Sequence, residues 1–198
     1  MTPNLIVHPD VTGMGPLRQW ILDHVDDEVV VMLDDDVKAV YSQTGIRKRR
    51  IEDENSLMRV LENCAEITAG LGTCVWGYTQ HSGRPAAYKP MDPFKLNTWA
   101  GAVIGFVGRP IRYDTNLLLR ADVDFFLKAM LKFRIVFIDT RFDWSHIRFA
   151  GTGGNAANRS YDRTMEEIKY LQKRWGKYLA LSETRALNIG TRVPRKQK

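Results

Sequence analysis

An α/β fold in a single domain is what this sequence predicts, and three features carry the prediction. Val29–Leu33 is a short, unbroken apolar run rich in β-branched residues, and it ends abruptly in three aspartates. Ahead of it lie a short apolar stretch, a glycine turn and a segment with helical spacing, the order of half an α/β unit. Behind it, Asp53–Ala69 repeats apolar residues at the period of a helix. A chain of 198 residues suits one domain with one real core. An apolar fraction of 44% and a charged fraction of 26% are those of a soluble globular protein. The formal net charge of +6 makes a polyanionic partner plausible without establishing one. Cys64 and Cys74 have neither zinc-site spacing nor a disulfide-rich pattern, so a reducing compartment fits. Met1–Pro9 lacks a basic start followed by a long apolar run, and no apolar stretch is long enough to span a bilayer. A cytosolic protein is expected, with no membrane partner.

Leu5–His8 is a short strand candidate stopped by Pro9 and Asp10. Thr12–Pro16 turns the chain into a helix from Leu17 to about His24, with Pro16 in its first turn and Leu17, Trp20, Ile21 and Val25 on the buried face. Val29–Leu33 then reads as an interior strand covered on both faces. Asp34, Asp35 and Asp36 follow at once. Three like charges repel, and burial makes that worse. They belong at the carboxyl end of the strand, where open α/β sheets place ligands. In extended backbone, residues i and i+2 point the same way. Asp34 and Asp36 are therefore positioned to share one divalent cation, with Asp35 turned toward a neighbouring group; the alternative is a plain acidic turn.

Arg47, Lys48, Arg49 and Arg50 form a run of cations on an exposed loop or edge, either a solubilising face or a phosphate contact. In the helix over Asp53–Ala69, Leu57, Val60, Leu61, Cys64 and Ala65 face inward, and Asn55 or Ser56 caps the start. Gly70–Trp76 turns into a strand, and Gly77–Ala87 is a polar, aromatic surface loop suited to binding. Phe94–Phe106 reads as a strand or a pair of short strands. Arg112–Arg134 brings Asp114, Asp122 and Asp124 close together. Asp122 sits at the first turn of a helix, where a carboxylate is electrostatically favoured. Ile135–Ile138 is another strand, with Asp139–Phe142 at its end. Trp144–Tyr161 is a long glycine- and asparagine-rich connection of the kind used as a lid. Arg163–Trp175 is an amphipathic helix stopped by Gly176. Residues 182–198 are set apart as a basic tail, most clearly from Thr191 onward.

Two acidic constellations, one after a strand and one at a helix start, suggest a metal-bound donor facing a general base. A cation at Asp34 and Asp36 offsets charge on a departing nucleotide diphosphate, and Asp122 takes the proton of an acceptor hydroxyl. A metal-dependent nucleotidyl or phosphoryl transferase also places acidic residues after a strand. A noncatalytic basic DNA-binding module explains the charge but leaves the aspartate triplet without a reason.

VVVMLDDDV at Val29–Val37 resembles the strand and Asp-x-Asp motif of the GT-A glycosyltransferases. By the same match, Gly13–Leu22 resembles the preceding helix, and Arg120–Leu131 the stretch that holds the catalytic acidic pair of inverting members. That pair is usually Glu-Asp and here is Ala121-Asp122, so the resemblance implies Asp122 as base with Asp124 as the neighbour able to replace it. It also implies His146 as a third metal ligand beside Asp34 and Asp36. VWGYTQH, RYDTNLLLRADVDFFLK and FIDTRF with TGGN resemble, more narrowly, the glycosyltransferases of phages and some eukaryotes associated with TET/JBP oxygenases.

The fold implied is a compact GT-A-like mixed sheet flanked by helices. The activity implied is transfer of a sugar, with Mn²⁺ or Mg²⁺ and a nucleotide-diphosphate sugar such as UDP-glucose, to 5-hydroxymethylcytosine or 5-hydroxymethyluracil in double-stranded DNA. Only Met1–Asp27 precede the acidic strand, so the nucleoside would rest on few contacts, around Val7–Asp10, His8 among them, and Arg18. Trp76, Tyr78 and His81 are candidates to surround a flipped base, with core packing as the alternative for Trp76. Arg112 joins Arg47–Arg50 as a phosphate contact, with Arg109 and Lys128 if their faces agree. Arg141 binds phosphate or pairs with a neighbouring aspartate. A polysaccharide, lipid or protein acceptor is the alternative to DNA.

Overall fold

A computed structural model of the chain describes residues 6–43, 48–79, 92–146, 160–181, 189–191 and 193. Helix α1 spans Met14–His24 and is followed by strands β1 (Val29–Leu33), β2 (Val37–Ser42) and β3 (Arg49–Ile51). Then come α2 (Glu54–Gly70), β4 (Val75–Tyr78), β5 (Phe94–Lys95), β6 (Val103–Val107) and α3 (Ala121–Phe133). The chain continues through β7 (Phe137–Asp139), β8 (Phe142–His146), α4 (Tyr161–Trp175), β9 (Leu179–Leu181) and β10 (Ile189–Thr191). The main sheet is mixed, in the order β1-β6-β4-β7-β5, with β4 and β7 parallel and the other pairs antiparallel. A small sheet runs β3-β2-β8, and β9 pairs with β10. The α/β mixed-sheet architecture is the one expected for a GT-A-like domain. Among the described residues, no helix is long and apolar enough to cross a membrane.

Strand alternation sends side chains to two cores. Val30, Met32, Val75, Ile104, Phe106 and Ile138 pack with α3 and α4 on one face. Trp76, Tyr78, Val103 and Phe137 pack on the other face with Cys64 and Ala65 of α2 and Val40 and Trp144 of the small sheet. Central strand β4 is buried at all four positions, as a strand covered on both faces must be. Gly105 has no side chain because the Trp76 indole lies where its Cβ would be.

Several local expectations change. β1 is an edge strand of the main sheet, paired only to β6 among the described strands, and Val29 and Leu33 at its ends are exposed. Its apolar content reflects two half-covered faces, not an interior position. Ile6–His8 form no strand; Ile6 and Val7 are exposed. In α1 the buried positions are Gly15, Gln19 and Leu22, one step round from the apolar stripe read from sequence. Asp53, not Asn55 or Ser56, caps α2 by accepting from the Ser56 amide. Phe142–His146 is a strand pairing with β2, where a loop was expected from Trp144. Ile189, inside the segment set apart as a tail, is buried in the larger core.

Candidate active site

β1, β4 and β7 run in the same direction, since β1 and β4 each pair antiparallel to β6 and β4 is parallel to β7. Their carboxyl ends, Asp34, Thr79 and Asp139–Thr140, therefore share one edge of the sheet, the edge where such sheets bind ligands. The acidic triplet is the crossing from the main sheet to the small one. The Asp34 amide donates to the Ala102 carbonyl at 2.9 Å, anchoring the end of β1, and the Val37 amide donates to the Asp34 carbonyl at 3.3 Å, closing a tight turn. Asp34 and Asp35 are exposed, and Asp36 is half-buried.

Arg18 of α1 reaches this turn. Its Nη2 donates to Asp34 Oδ1 at 2.9 Å; the Arg18 side chain is 12% exposed and that of Asp34 46%. An ion pair with one partner so exposed is worth about 1 kcal/mol or less, so it exchanges easily. Arg18 also lies over the Tyr113 ring, 6.0 Å from its centroid, and within Coulombic reach of Asp122. Burial pushes the Asp122 carboxyl up from its ordinary value, and the Arg18 guanidinium and the Val123 amide pull against it. α1 thus joins the two acidic constellations that the sequence keeps about ninety residues apart.

Asp122 owes its place to a braced turn. Glu167 of α4, 6% exposed, accepts from the backbone amides of Leu118 (2.8 Å), Leu119 (3.1 Å) and Arg120 (2.9 Å), the three residues leading into α3. On the carbonyl side, Leu117 and Leu118 accept from the Gly15 and Met14 amides at 3.0 and 2.8 Å. These would otherwise be unsatisfied donors of the first turn of α1. Gly15 is required there: a Cβ would collide with the carbonyls of Asp114 and Leu117.

The family model for TET-Associated Glycosyltransferase matches residues 2–147. The chain belongs to that family. No curated protein and no solved structure matches it. It is a glycosyltransferase, and the braced cluster of Arg18, Asp34 and Asp122 lies within the matched residues.

A divalent cation, which the GT-A resemblance implies, can be tested against the turn of this glycosyltransferase. Asp36 Oδ1 is buried with no hydrogen-bond partner among the described residues, and a carboxylate oxygen in that state suits a cation. The β2–β8 register puts the His146 backbone directly opposite Val37, next to Asp36; its side chain lies outside the described residues. No group of three His, Cys, Asp or Glu side chains is gathered for a metal among the described residues. Asp36 is thus the aspartate of the turn whose observed state suits a cation, whereas Asp34 Oδ1 accepts from Arg18.

Other sequence candidates of this glycosyltransferase fall elsewhere. Asp124 is fully buried and turned to α4: it accepts from Trp175 Nε1 at 2.9 Å and pairs with Lys128 at 2.7 Å and Arg174 at 3.3 Å. Two residues along a helix face different ways, so Asp124 cannot stand in for Asp122. Trp76 and Tyr78 are 0% and 1% exposed, packed against α2 and the small sheet, and do not line an acceptor site. Arg141 chelates the buried Asp139, its Nη2 2.7 Å from Oδ2, so the ion-pair alternative holds. Arg112 pairs with Asp23 at 2.9 Å, Lys128 with Asp124, and Arg109 donates to the Leu22 and Asp26 carbonyls. His8 is exposed and meets Trp20 edge-on. Lys48 is exposed, but its ammonium pairs with the buried Asp143 and lies 4.1 Å from the Tyr41 ring centroid. Arg49 and Arg50 are exposed on edge strand β3. His81 and Arg47 lie outside the described residues.

Tyr113 and Glu167 escaped sequence reading. Nothing in their neighbourhood marks them, because Tyr113 sits in an irregular stretch and Glu167 on a helix whose polar residues are mostly solvated. A glutamate among the inward-facing positions Ile168 and Leu171 was the available signal.

Proposed function

We propose that this chain moves a sugar from a nucleotide-diphosphate sugar, UDP-glucose foremost, to the hydroxymethyl oxygen of 5-hydroxymethylcytosine or 5-hydroxymethyluracil in double-stranded DNA, with inversion at the sugar carbon. The observation that carries the reading is Asp122. It is the carboxylate whose basicity burial raises, it stands at the start of a helix on a rigidly braced turn, and Arg18 ties it to the Asp34–Asp36 turn. A raised carboxyl is a better proton acceptor near neutral pH. Asp122 takes the hydroxyl proton as that oxygen attacks the sugar carbon, and the bond to the diphosphate oxygen breaks on the opposite face. A Mn²⁺ or Mg²⁺ ion held by Asp34 and Asp36, with His146 as the third candidate, would offset the charge on the leaving diphosphate. Arg18 keeps Asp34 oriented toward the same space.

The exposed cations Arg49 and Arg50 supply a sequence-independent contact for a phosphate backbone. A base stacked in a duplex cannot enter a site at a sheet edge, so the modified nucleotide is flipped out. The test supplies the protein with Mn²⁺ or Mg²⁺, a panel of nucleotide sugars, and duplex DNA with or without hydroxymethylated pyrimidines, followed by mass spectrometry of the digested nucleosides. A hexose or pentose increment that needs the hydroxymethyl group and the metal is expected. It should fall by about a hundredfold or more in Asp122→Asn and Asp36→Ala. Hydrolysis of the donor with no increment in any DNA would move the acceptor elsewhere. A product with the donor's own anomeric configuration would remove Asp122 from the base role.

A further inference from the structure

We infer that an open groove on α3, separate from the catalytic cluster, holds one unpaired nucleotide of a DNA strand; the choice of DNA rests on the acceptor reading above. The groove has a volume of about 530 Å³, within the range of ligand sites. Pro110, Ile111, Leu131 and the Trp175 indole supply its apolar lining, and Arg112, Lys128 and Lys132 supply its cations. None of these residues belongs to the cluster of Arg18, Asp34 and Asp122. Consecutive residues of one segment serve the two places: Arg112 lines the groove, and the Tyr113 ring lies beneath Arg18. An apolar lining with an aromatic wall and a set of cations is the combination that binds single-stranded nucleic acid, the ring meeting the base and the cations the backbone.

The groups of the groove are held in place before a ligand arrives. Lys128 Nζ donates to the Arg112 carbonyl at 2.9 Å, and Lys132 Nζ donates to the Pro110 carbonyl at 3.1 Å. Trp175 Nε1 donates to the buried Asp124 at 2.9 Å, which fixes the indole. An ammonium has three donors, so Lys132 keeps two and Lys128, also paired with Asp124, keeps one. Arg112 is bonded to Asp23 at the surface, where exchange costs little. The charges do not cancel. Arg112, Lys128, Lys132 and Arg174 stand against three carboxylates, Asp23, Asp114 and Asp124, and one positive charge remains. It is that of Lys132, which forms no ion pair among the described residues. A phosphodiester carries a single negative charge, whereas a terminal phosphate carries up to two. The surplus therefore matches a strand better than a free nucleotide, and the lining matches a flat base better than an acidic peptide.

The test is fluorescence anisotropy of the full chain with a labelled single-stranded oligothymidylate, without donor or metal, over a salt series. Wild type should bind this strand at least ~3-fold more tightly than an abasic strand of the same length. Lys132→Met, which keeps the apolar stem, should weaken binding ~3–10-fold and lower the slope of log affinity against log salt by about 0.7; Lys132→Arg should restore both. Leu131→Ala, which thins the lining, should narrow the preference for the intact strand over the abasic one. Polyglutamate of the same length should compete at least ~10-fold more weakly than the strand. Equal binding of intact and abasic strands, an unchanged salt slope in Lys132→Met, or equal competition by polyglutamate or thymidine monophosphate would overturn the groove and leave the acceptor reading standing. Transfer that fails on every DNA while these effects hold would remove the acceptor reading and leave the groove. Failure of wild type to bind either this strand or hydroxymethylated duplex would overturn both.

Discussion

Asp122 shows how a single residue carries opposed demands. Its carboxylate is partly withdrawn from water, which raises its proton affinity, and Arg18 recovers only part of that cost. A carboxyl whose folded pKa is raised binds protons more readily in the native state, so native stability falls as pH rises through that pKa. Replacement by asparagine removes the buried charge and keeps the shape. Asp122→Asn is therefore expected to melt higher than wild type at neutral pH, with the difference closing as pH is lowered and the wild-type group takes up its proton. Thermal melts across pH check this, and a variant that melts lower at neutral pH would show that the Arg18 pairing outweighs desolvation. Cys64 illustrates the opposite case. Burial pushes its thiol up to about 12, so it stays protonated beside Tyr78 and Asp139 and serves as packing, as its helical spacing suggested.

At the scale of elements, α4 does work for α3. Three amides before α3 converge on the Glu167 carboxylate, while Asp114 receives Tyr170 at 2.7 Å and Arg174, and Asp124 receives Trp175. One helix thus clamps the turn that presents Asp122. Glu167→Ala leaves buried amides without partners and is expected to cost on the order of 3 kcal/mol, read by denaturant unfolding. Glu167→Gln keeps the volume but turns an amide group toward donors, so it should recover only part of the loss. Full recovery would show that a neutral acceptor oxygen satisfies these amides and that the charge of Glu167 is not needed. Asp114 responds to pH in its own direction. Burial acts to raise its carboxyl, but the Asn116 amides, Tyr170 and Arg174 together hold it below the usual carboxylate range. Its contribution to stability is present above the ordinary carboxylate pKa and is lost as pH falls through the depressed one.

Across the whole molecule, many cations are engaged by local partners, some at the surface and some buried. Arg112, Arg141, Arg174, Lys48 and Lys128 all form ion pairs, which leaves the net charge of +6 unchanged but engages these cations before a polyanion arrives. Arg49 is exposed on the edge strand of the small sheet, and Arg50 has only a loose pairing to Glu52 at 3.8 Å. If this edge tracks a DNA backbone, Arg49→Ala with Arg50→Ala should weaken binding to any duplex alike. It should also flatten the dependence of log affinity on log salt by about two units. Fluorescence anisotropy over a salt series measures both. An unchanged slope would place the DNA elsewhere.

The sequence by itself determined the α/β class, the four helices to within a few residues, and the strand that ends in Asp34–Asp36. Each rests on signals confined to a few neighbouring residues: helical spacing in 53–69, a β-branched run, the stop at Gly176. Only the tertiary structure decided that β1 lies at an edge, that Trp76 and Tyr78 are core, and that Asp124 belongs to the α3–α4 contact. It alone brought Arg18, Tyr113 and Asp122 to one place. Short segments report periodicity and turn chemistry because those are local properties. Which carboxylate meets which cation depends on strand order and helix packing between residues a hundred positions apart, and local pattern carries no record of it.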